Sequence, residues 1–176
     1  MAKSRQAPVD YVAPMDVLRD QDTASRRATL SRILKTFRRR AGLRSIEAAR
    51  AMGKGLRTYQ RWESGYYGLQ LEEIHRFAEI VHADPWGIVF AVEFGSVDFA
   101  LATAQNNAAS LMLVALRRFH RKTPEAIRVL DPRSLSLTFT RGFDLLAKRA
   151  EEYEADLEQW MFDEGLSAAE PDDADD

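Results

Sequence analysis

Apolar side chains recur at every third or fourth position through the first half of the chain, which is the spacing of amphipathic α-helices. The clearest run lies among arginines and lysines, and its apolar members are Leu30, Ile33, Leu34 and Phe37. The pattern predicts five short helices, with approximate bounds 28–41, 45–52, 56–64, 71–82 and from Asp84-Pro85 through Phe90. We expect the core of this region to hold the aromatic side chains Tyr59, Trp62, Phe77, Trp86 and Phe90.

Residues that favour helix ends lie between these predicted helices. Ser45 suits the N-cap of the second helix, since its hydroxyl accepts from backbone N–H groups of the first turn. Gly53 and Gly65 adopt positive φ readily and are predicted to end the second and third helices. Asp84-Pro85 is predicted to start the fifth helix, because proline is favoured in a first helical turn.

The second half of the chain has longer apolar patterns. An Ala- and Leu-rich segment from Val97 to Phe119 holds neither proline nor glycine, which predicts one long helix. Thr123-Pro124 interrupts it, and Asp131-Pro132 restarts the chain after a short helical turn. Beyond this point a heptad spacing joins the positions Phe139, Phe143, Leu146, Ala150, Tyr153, Leu157 and Trp160.

The heptad helix requires a partner for its apolar stripe. Three partners remain open: the segment 97–119 in a hairpin, a second copy of the chain, or another protein. Gly142 lies inside the pattern and weakens the helix there, since an interior glycine costs about 1 kcal/mol relative to alanine. We therefore expect an all-α chain, in which long C-terminal helices form a hairpin or a dimer bundle.

Composition and periodicity together predict four regions along the chain. They are a flexible N-terminal arm at 1–27, a helical domain at 28–92, a second helical domain for oligomerisation or effector contacts at 95–165, and a disordered acidic tail at 166–176.

Charge is strongly segregated along the chain although its formal net charge is only −2. Residues 26–76 carry 13 Lys and Arg against 4 Asp and Glu, a net charge of +9, whereas residues 131–176 carry −10. A basic region of this kind favours an anionic partner such as nucleic acid.

Several classes of site are disfavoured by the residue inventory. The chain has no cysteine, which excludes disulfides, thiolate metal sites and cysteine nucleophiles. Its three histidines, His75, His82 and His120, share no metal-ligand spacing with a third donor. There is no Gly-rich phosphate loop or Ser-His-Asp grouping, so we expect neither an enzyme nor a cofactor. No apolar stretch suits a membrane helix or a secretory signal, and we expect a cytoplasmic, nucleoid-associated protein.

Residues 43–65, LRSIEAARAMGKGLRTYQRWESG, carry a specific pattern: a short helix with an internal alanine, a glycine turn, and a second helix that ends in Trp62-Glu63-Ser64-Gly65. This pattern resembles the helix-turn-helix of Cro/CI-type repressors, the xenobiotic-response-element family. The resemblance covers about 28–92. It implies a five-helix DNA-binding domain whose recognition helix, about 56–64, enters the major groove.

The resemblance also implies roles for individual residues. Ser45 stands at a phosphate-contacting position, and Arg57 and Arg61 stand where side chains read base edges, while Arg38 and Glu63 match a structural ion pair. The remaining candidate DNA contacts are Leu56, Thr58, Gln60, Arg39 and Arg40. Tyr66 and Tyr67 have two open interpretations, a hydroxyl contact with the DNA backbone or a cover over the core.

The expected function is a sequence-specific, double-stranded-DNA-binding transcriptional regulator. A single helix-turn-helix reads few bases, so we expect a homodimer, joined through either the fifth helix or the C-terminal helices. The C-terminal helices are also candidates for contacts with RNA polymerase or another regulator. The alternative is a helix-turn-helix protein that acts mainly through protein contacts, as a coactivator or an antitoxin-like binder.

Overall fold

The computed structural model describes residues 22–163, whose backbone forms helices and no strand, and it confirms the all-α class for this part of the chain. The helices are α1 (Thr23–Arg40), α2 (Ser45–Ala51), α3 (Leu56–Glu63), α4 (Leu71–Val81), α5 (Pro85–Phe94), α6 (Val97–Thr103), α7 (Ala108–Lys122), α8 (Ala126–Val129) and α9 (Pro132–Asp163). The predicted tail at 166–176 and residues 1–21 of the predicted arm lie outside the described residues.

The first helix begins earlier than its apolar pattern indicates. Asp22 is its N-cap, and the Asp22 Oδ1 atom accepts a hydrogen bond from the Ser25 backbone N–H at 2.7 Å. Residues 23–27, which the predicted arm includes, are therefore helical, and α1 starts at the earlier end of the range Thr23 to Arg27. The reason is that a capping carboxylate satisfies the free N–H groups of a first turn that has no apolar stripe of its own.

The hydrophobic core lies between α1 and the helices that follow it. The predicted apolar stripe of α1 is buried, and Tyr59, Trp62 and Phe77 are buried against it as predicted. Trp86 and Phe90 were also expected in the core, but they are only partly buried, with their rings 6.3 Å apart near the surface. Of the five aromatic side chains predicted in the core, the three on α3 and α4 are therefore the buried ones.

The helix ends follow the predicted glycines. Gly53 has φ 65° and Gly65 has φ 76°, which confirms both stops. Gly65 also allows a close approach, because a Cβ atom there would collide with the backbone carbonyl oxygen of Arg27 in α1. Ser45 is the first residue of α2 and Arg44 is the N-cap, so the predicted Ser45 cap is wrong. The cap hydrogen bond is instead made by Glu47, whose Oε2 accepts from the Arg44 N–H at 2.8 Å.

The predicted long helix over 97–119 is broken in the structure. It consists of α6 and α7, which are bent by 74° at residues 104–107, where Asn107 has φ 54°. The break depends on the buried carboxylate of Asp84. Its Oδ2 accepts from the Ala109 and Ser110 N–H groups at 2.9 and 3.1 Å, while its Oδ1 accepts from the Trp86 N–H at 3.1 Å. One carboxylate therefore caps both α5 and α7, an interaction that helical spacing cannot reveal.

The compact first unit extends beyond the expected boundary at 92–95. The chain divides into two units between Pro124 and Glu125, so α6 and α7 belong to the first unit. Gly87 in α5 lets α6 approach closely, since a Cβ atom there would overlap the Thr103 hydroxyl. The predicted domains 28–92 and 95–165 therefore do not match the structural units, because α6 packs on α1 and α5.

The second unit contains α8 and α9. The breaks predicted at Thr123-Pro124 and Asp131-Pro132 are confirmed, and Asp131 Oδ1 accepts from the Ser134 N–H at 3.0 Å at the start of α9. α9 continues through Gly142 without interruption. The described side chains of its heptad stripe are exposed at Phe139, Phe143, Leu146, Ala150 and Tyr153.

Within residues 22–163, no single helix combines the length and apolar composition needed to cross a membrane. The bent pair α6 and α7 reaches that length and composition only when the two helices are taken together.

Candidate nucleic-acid interface

α3 has one buried face that holds it to the core. Tyr59, Trp62 and Glu63 are 0%, 1% and 4% exposed. The Tyr59 and Trp62 ring centroids lie 5.8 Å apart, and the Trp62 and Phe77 centroids lie 5.4 Å apart, so these tilted rings form a continuous aromatic cluster from α3 into α4. An eight-residue helix is too short to be stable alone in water, and this packing is what holds it.

The C-terminal end of α3 is joined to the end of α1 by a buried ion pair. Arg38 Nε donates to Glu63 Oε1 at 2.6 Å, and the two side chains are 13% and 6% exposed. Tyr59 Oη donates to the same oxygen at 3.0 Å, and Arg38 Nη1 donates to the Leu43 carbonyl at 2.9 Å. The ion pair implied by the family resemblance is therefore confirmed. Its two side chains also form hydrogen bonds with the Tyr59 hydroxyl and the Leu43 carbonyl.

This network raises the pKa values of two side chains, Arg38 and Tyr59. The hydrogen bond and charge of Glu63 raise the pKa of Arg38, which keeps the guanidinium charged. Burial, followed by the Glu63 charge, raises the pKa of Tyr59, so the phenol stays protonated and remains a donor. Arg38 therefore stays positively charged and Tyr59 stays neutral, so both remain hydrogen-bond donors to Glu63 at the C-terminal end of α3.

The opposite face of α3 is open to solvent. Arg57, Thr58, Gln60 and Arg61 are exposed, and Leu56 at the start of the helix is 38% exposed. Residues four apart lie on the same side of a helix, so Arg57 and Arg61 share the face directed away from Tyr59 and Trp62. Every candidate base-contacting side chain on α3 is thus accessible.

Arg61 is held by aromatic neighbours that follow α3. Its Cζ atom lies 4.3 Å from the Tyr66 ring centroid and 5.6 Å from the Tyr67 centroid, and the two rings meet edge to face at 5.1 Å. Tyr66 and Tyr67 are 56% and 42% exposed, so they support Arg61 and do not cover the core. Stacking uses the flat face of a guanidinium and leaves its N–H edge free for a ligand.

The N-terminal end of α3 is also exposed to solvent. Gly55 is the N-cap, and it contributes no side-chain hydrogen bond. Lys54 beside it is occupied by an ion pair with Glu73 at 2.8 Å. The positive end of the α3 dipole therefore faces outward with a glycine at its tip, an arrangement that favours a nearby anion.

Ser45 lies in a different environment from the one expected. It is half-buried at the first position of α2, and the carboxylate of Glu47 already occupies the N-terminal end of that helix. Hydrogen bonds from Arg44 lower the pKa of Glu47, so this carboxylate stays ionised. A phosphate at Ser45 would have to approach next to this negative charge, which makes Ser45 the weakest of the candidate contacts.

Basic side chains at the end of α1 extend the exposed surface. Arg39 and Arg40 are exposed and follow directly on Arg38, whose contact with Glu63 places this end of α1 beside the end of α3. Of the acidic residues in 26–76, Glu47, Glu63 and Glu73 are each engaged in an ion pair. Within the described chain, Arg39, Arg40, Arg57 and Arg61 have no acidic partner within 4.0 Å.

The histidines form no cluster of their own. His75 lies edge-on to Trp86, with the ring centroids 5.6 Å apart. Over residues 22–163, no group of three His, Asp or Glu side chains has the arrangement of a metal site.

Comparison of the chain with protein-family models, with curated proteins and with solved structures finds no match.

Proposed function

We propose that this chain is a sequence-specific regulator of the Cro/CI type that binds double-stranded DNA through α3. One observation supports this most strongly. The buried side of α3, with Tyr59, Trp62 and Glu63, holds the helix on the core, while Arg57 and Arg61 remain exposed and free of acidic partners. A helix held on one side and basic on the other suits the major groove, which is about 12 Å wide.

Binding begins with attraction between the basic region and the DNA phosphates, which releases counterions. Arg39 and Arg40 contact phosphates beside the groove, and Thr58 and Gln60 reach phosphates or bases at its edge. Ser45 is retained only as a secondary phosphate contact.

Base discrimination falls to the exposed side of α3. The guanidinium groups of Arg57 and Arg61 suit the paired acceptors of guanine, and the Tyr66 ring limits the rotamers of Arg61 before DNA arrives. Leu56 contacts a thymine methyl group in this arrangement. The proposal requires no catalysis and no cofactor, and it places the protein in the cytoplasm with the nucleoid.

The decisive experiment compares Arg61→Ala and Arg57→Ala with the parent chain by fluorescence anisotropy. The DNA is a site selected from random duplexes by the parent protein, with an unselected duplex measured in parallel. Loss of a base-reading arginine costs about 1–3 kcal/mol, so we expect roughly 5- to 150-fold weaker binding to the selected site and a smaller change on unselected DNA.

Arg141→Ala is the matched control, since it removes one exposed helical arginine from the second unit. It should leave both affinities nearly unchanged. Arg39→Ala should weaken both duplexes alike and lower the log–log salt slope by about 1. If the parent and the two α3 variants bind the selected site equally, the proposed recognition role of α3 is wrong.

A second candidate function is binding of another protein, such as RNA polymerase or a partner regulator. The exposed apolar side chains of α7 and α9, including Leu111, Val114 and Phe143, favour it. Equal affinity of the parent chain for selected and unselected DNA would support this function over sequence-specific regulation.

A further inference from the structure

α9 exposes an apolar stripe that is long for a protein surface. The helix spans 32 residues, about 48 Å at 1.5 Å per residue. Phe139, Phe143, Leu146 and Tyr153 are 55%, 54%, 63% and 69% exposed, and they follow one heptad seam. A stripe with this period is stabilised by pairing with another helix.

The charges of α9 are divided between its two halves. Residues 132–149 carry a net charge of +3, whereas residues 150–163 carry −6. Two such helices in parallel would place the two acidic halves side by side. In an antiparallel pair, each acidic half would lie beside a basic half.

The apolar positions are also compatible with an antiparallel pair. In such a pair, each seam position meets a position of the other seam type on the partner helix. With the two-fold axis between positions 151 and 152, Ala150 faces Tyr153 of the partner subunit, a small residue against a large one. The sequence positions 143 and 146 then lie level with positions 160 and 157 of the partner helix.

A charged pair flanks this seam in the same register. Arg149 and Asp156 occupy equivalent flanking positions one heptad apart, and the antiparallel arrangement brings Arg149 beside Asp156 of the partner subunit. Both side chains are exposed in the single chain. Arg149 bonds Glu152 of its own helix at 3.1 Å, but exposed pairs of this kind contribute little and are readily exchanged.

We propose that α9 pairs with α9 of a second copy of this chain as an antiparallel two-helix coiled coil, with the two-fold axis near Ala150 to Tyr153. The partner is a second copy of the chain, because α9 by itself supplies both the apolar seam and the complementary basic and acidic halves. Such an interface is isologous and closed, so it yields a dimer. This inference does not depend on DNA binding and is tested without DNA.

Sedimentation equilibrium of the full chain measures the assembly. The parent chain should be a dimer at micromolar concentration, and Leu146→Asp should raise the dissociation constant at least about 100-fold, since two leucines leave the interface. Leu111→Asp on α7 is the matched control, because Leu111 is 60% exposed and Leu146 is 63% exposed. It should leave the dissociation constant unchanged, and the tryptophan-fluorescence unfolding transition of each variant checks that the first unit, with the buried Trp62, remains folded.

A charge exchange tests the register. Arg149→Glu should weaken the dimer at low salt about 10-fold, because it faces Asp156 of the partner subunit. Combining it with Asp156→Arg should restore the parent dissociation constant. A double variant that is weaker than the single variant would overturn the proposed register.

The relative orientation of the two α9 helices is measured by pulsed electron–electron double resonance, with a nitroxide label on Ser136→Cys. The chain has no cysteine of its own, so the label is unique, and Ser136 is exposed near the start of α9. The antiparallel pair predicts a label separation of roughly 45–50 Å, whereas a parallel pair predicts roughly 10–20 Å.

Three results would overturn the proposal. A monomer at tens of micromolar would show that the stripe is covered within one chain or by another protein. A dimer that is broken by Leu111→Asp and not by Leu146→Asp would move the interface to α7. A short label separation would make the pair parallel. Arg57→Ala should not alter any of these readings, so failure of the dimer is distinguishable from failure of DNA recognition.

Discussion

Replacing Glu63 by alanine should destabilise the first unit far more than the loss of an ordinary surface glutamate. Arg38 would keep its hydrogen bond to the Leu43 carbonyl at 2.9 Å but would lose the carboxylate 2.6 Å from its Nε. Tyr59 would lose the acceptor of its buried hydroxyl. The change therefore leaves one charge and one polar group without their partner in a site that is almost closed to water.

The expected loss follows from these contacts. Removing one member of a buried ion pair typically costs about 3–5 kcal/mol, and the 13% exposure of the Arg38 side chain favours the lower part of that range. An unsatisfied buried hydroxyl adds about 1 kcal/mol. We expect a total of about 4–5 kcal/mol, which for a unit of this size lowers the melting temperature by roughly 16–40 °C.

Urea unfolding followed by tryptophan fluorescence measures this loss, because Trp62 is 1% exposed next to Tyr59. Glu152→Ala is the control, since it breaks only exposed pairs on α9 and should leave the transition of the first unit unchanged. The triple change Arg38→Met, Glu63→Leu and Tyr59→Phe removes all three polar side chains together. It leaves only the Leu43 carbonyl without its donor and should recover most of the stability.

Two results would contradict this reasoning. A loss below about 1 kcal/mol for Glu63→Ala would mean that the ion pair contributes no more than a surface pair. A triple variant as unstable as the single variant would mean that the apolar contacts of Glu63, and not its charge, hold α3 to α1.

Three further outcomes are expected. Gly65→Ala should lower the urea midpoint more than Gly53→Ala: both have positive φ, but only Gly65 would also place a Cβ against the Arg27 carbonyl, whereas nothing lies within 4 Å of a Cβ at Gly53. Asp84→Ala should speed amide exchange in the first turns of both α5 and α7 and cost about 2–4 kcal/mol by urea unfolding, because its carboxylate accepts hydrogen bonds from both helix starts. The pKa of Tyr59 is raised in the folded state above the ordinary value of 10.0. The contribution of this proton to folding stability is therefore fully present below pH 10 and is lost as the pH rises beyond it. A pH series of urea midpoints should show a steeper alkaline decline for the parent than for Tyr59→Phe.

The positions of α2 to α5 could be read from the sequence because they depend on local signals. The segment 56–63 is bounded by Gly55 and Gly65, and its apolar residues fall on one side of a helix. The restart at Pro132 is equally local, since proline cannot extend a preceding helix. The exposed and buried faces of α3 follow from the same 3.6-residue period, so the accessible arginines were predictable.

The sequence by itself therefore determined the all-α class, the α3 helix with its two faces, and the segregated charge. Only the tertiary structure decided the break between α6 and α7, where Asp84 caps a helix that starts more than twenty residues later in the chain. The same holds for the packing of α6 onto α1 and α5, which moves the unit boundary to Pro124. Periodicity reports which side of a helix is apolar, but a hydrogen bond between distant residues depends on where the packed core places them.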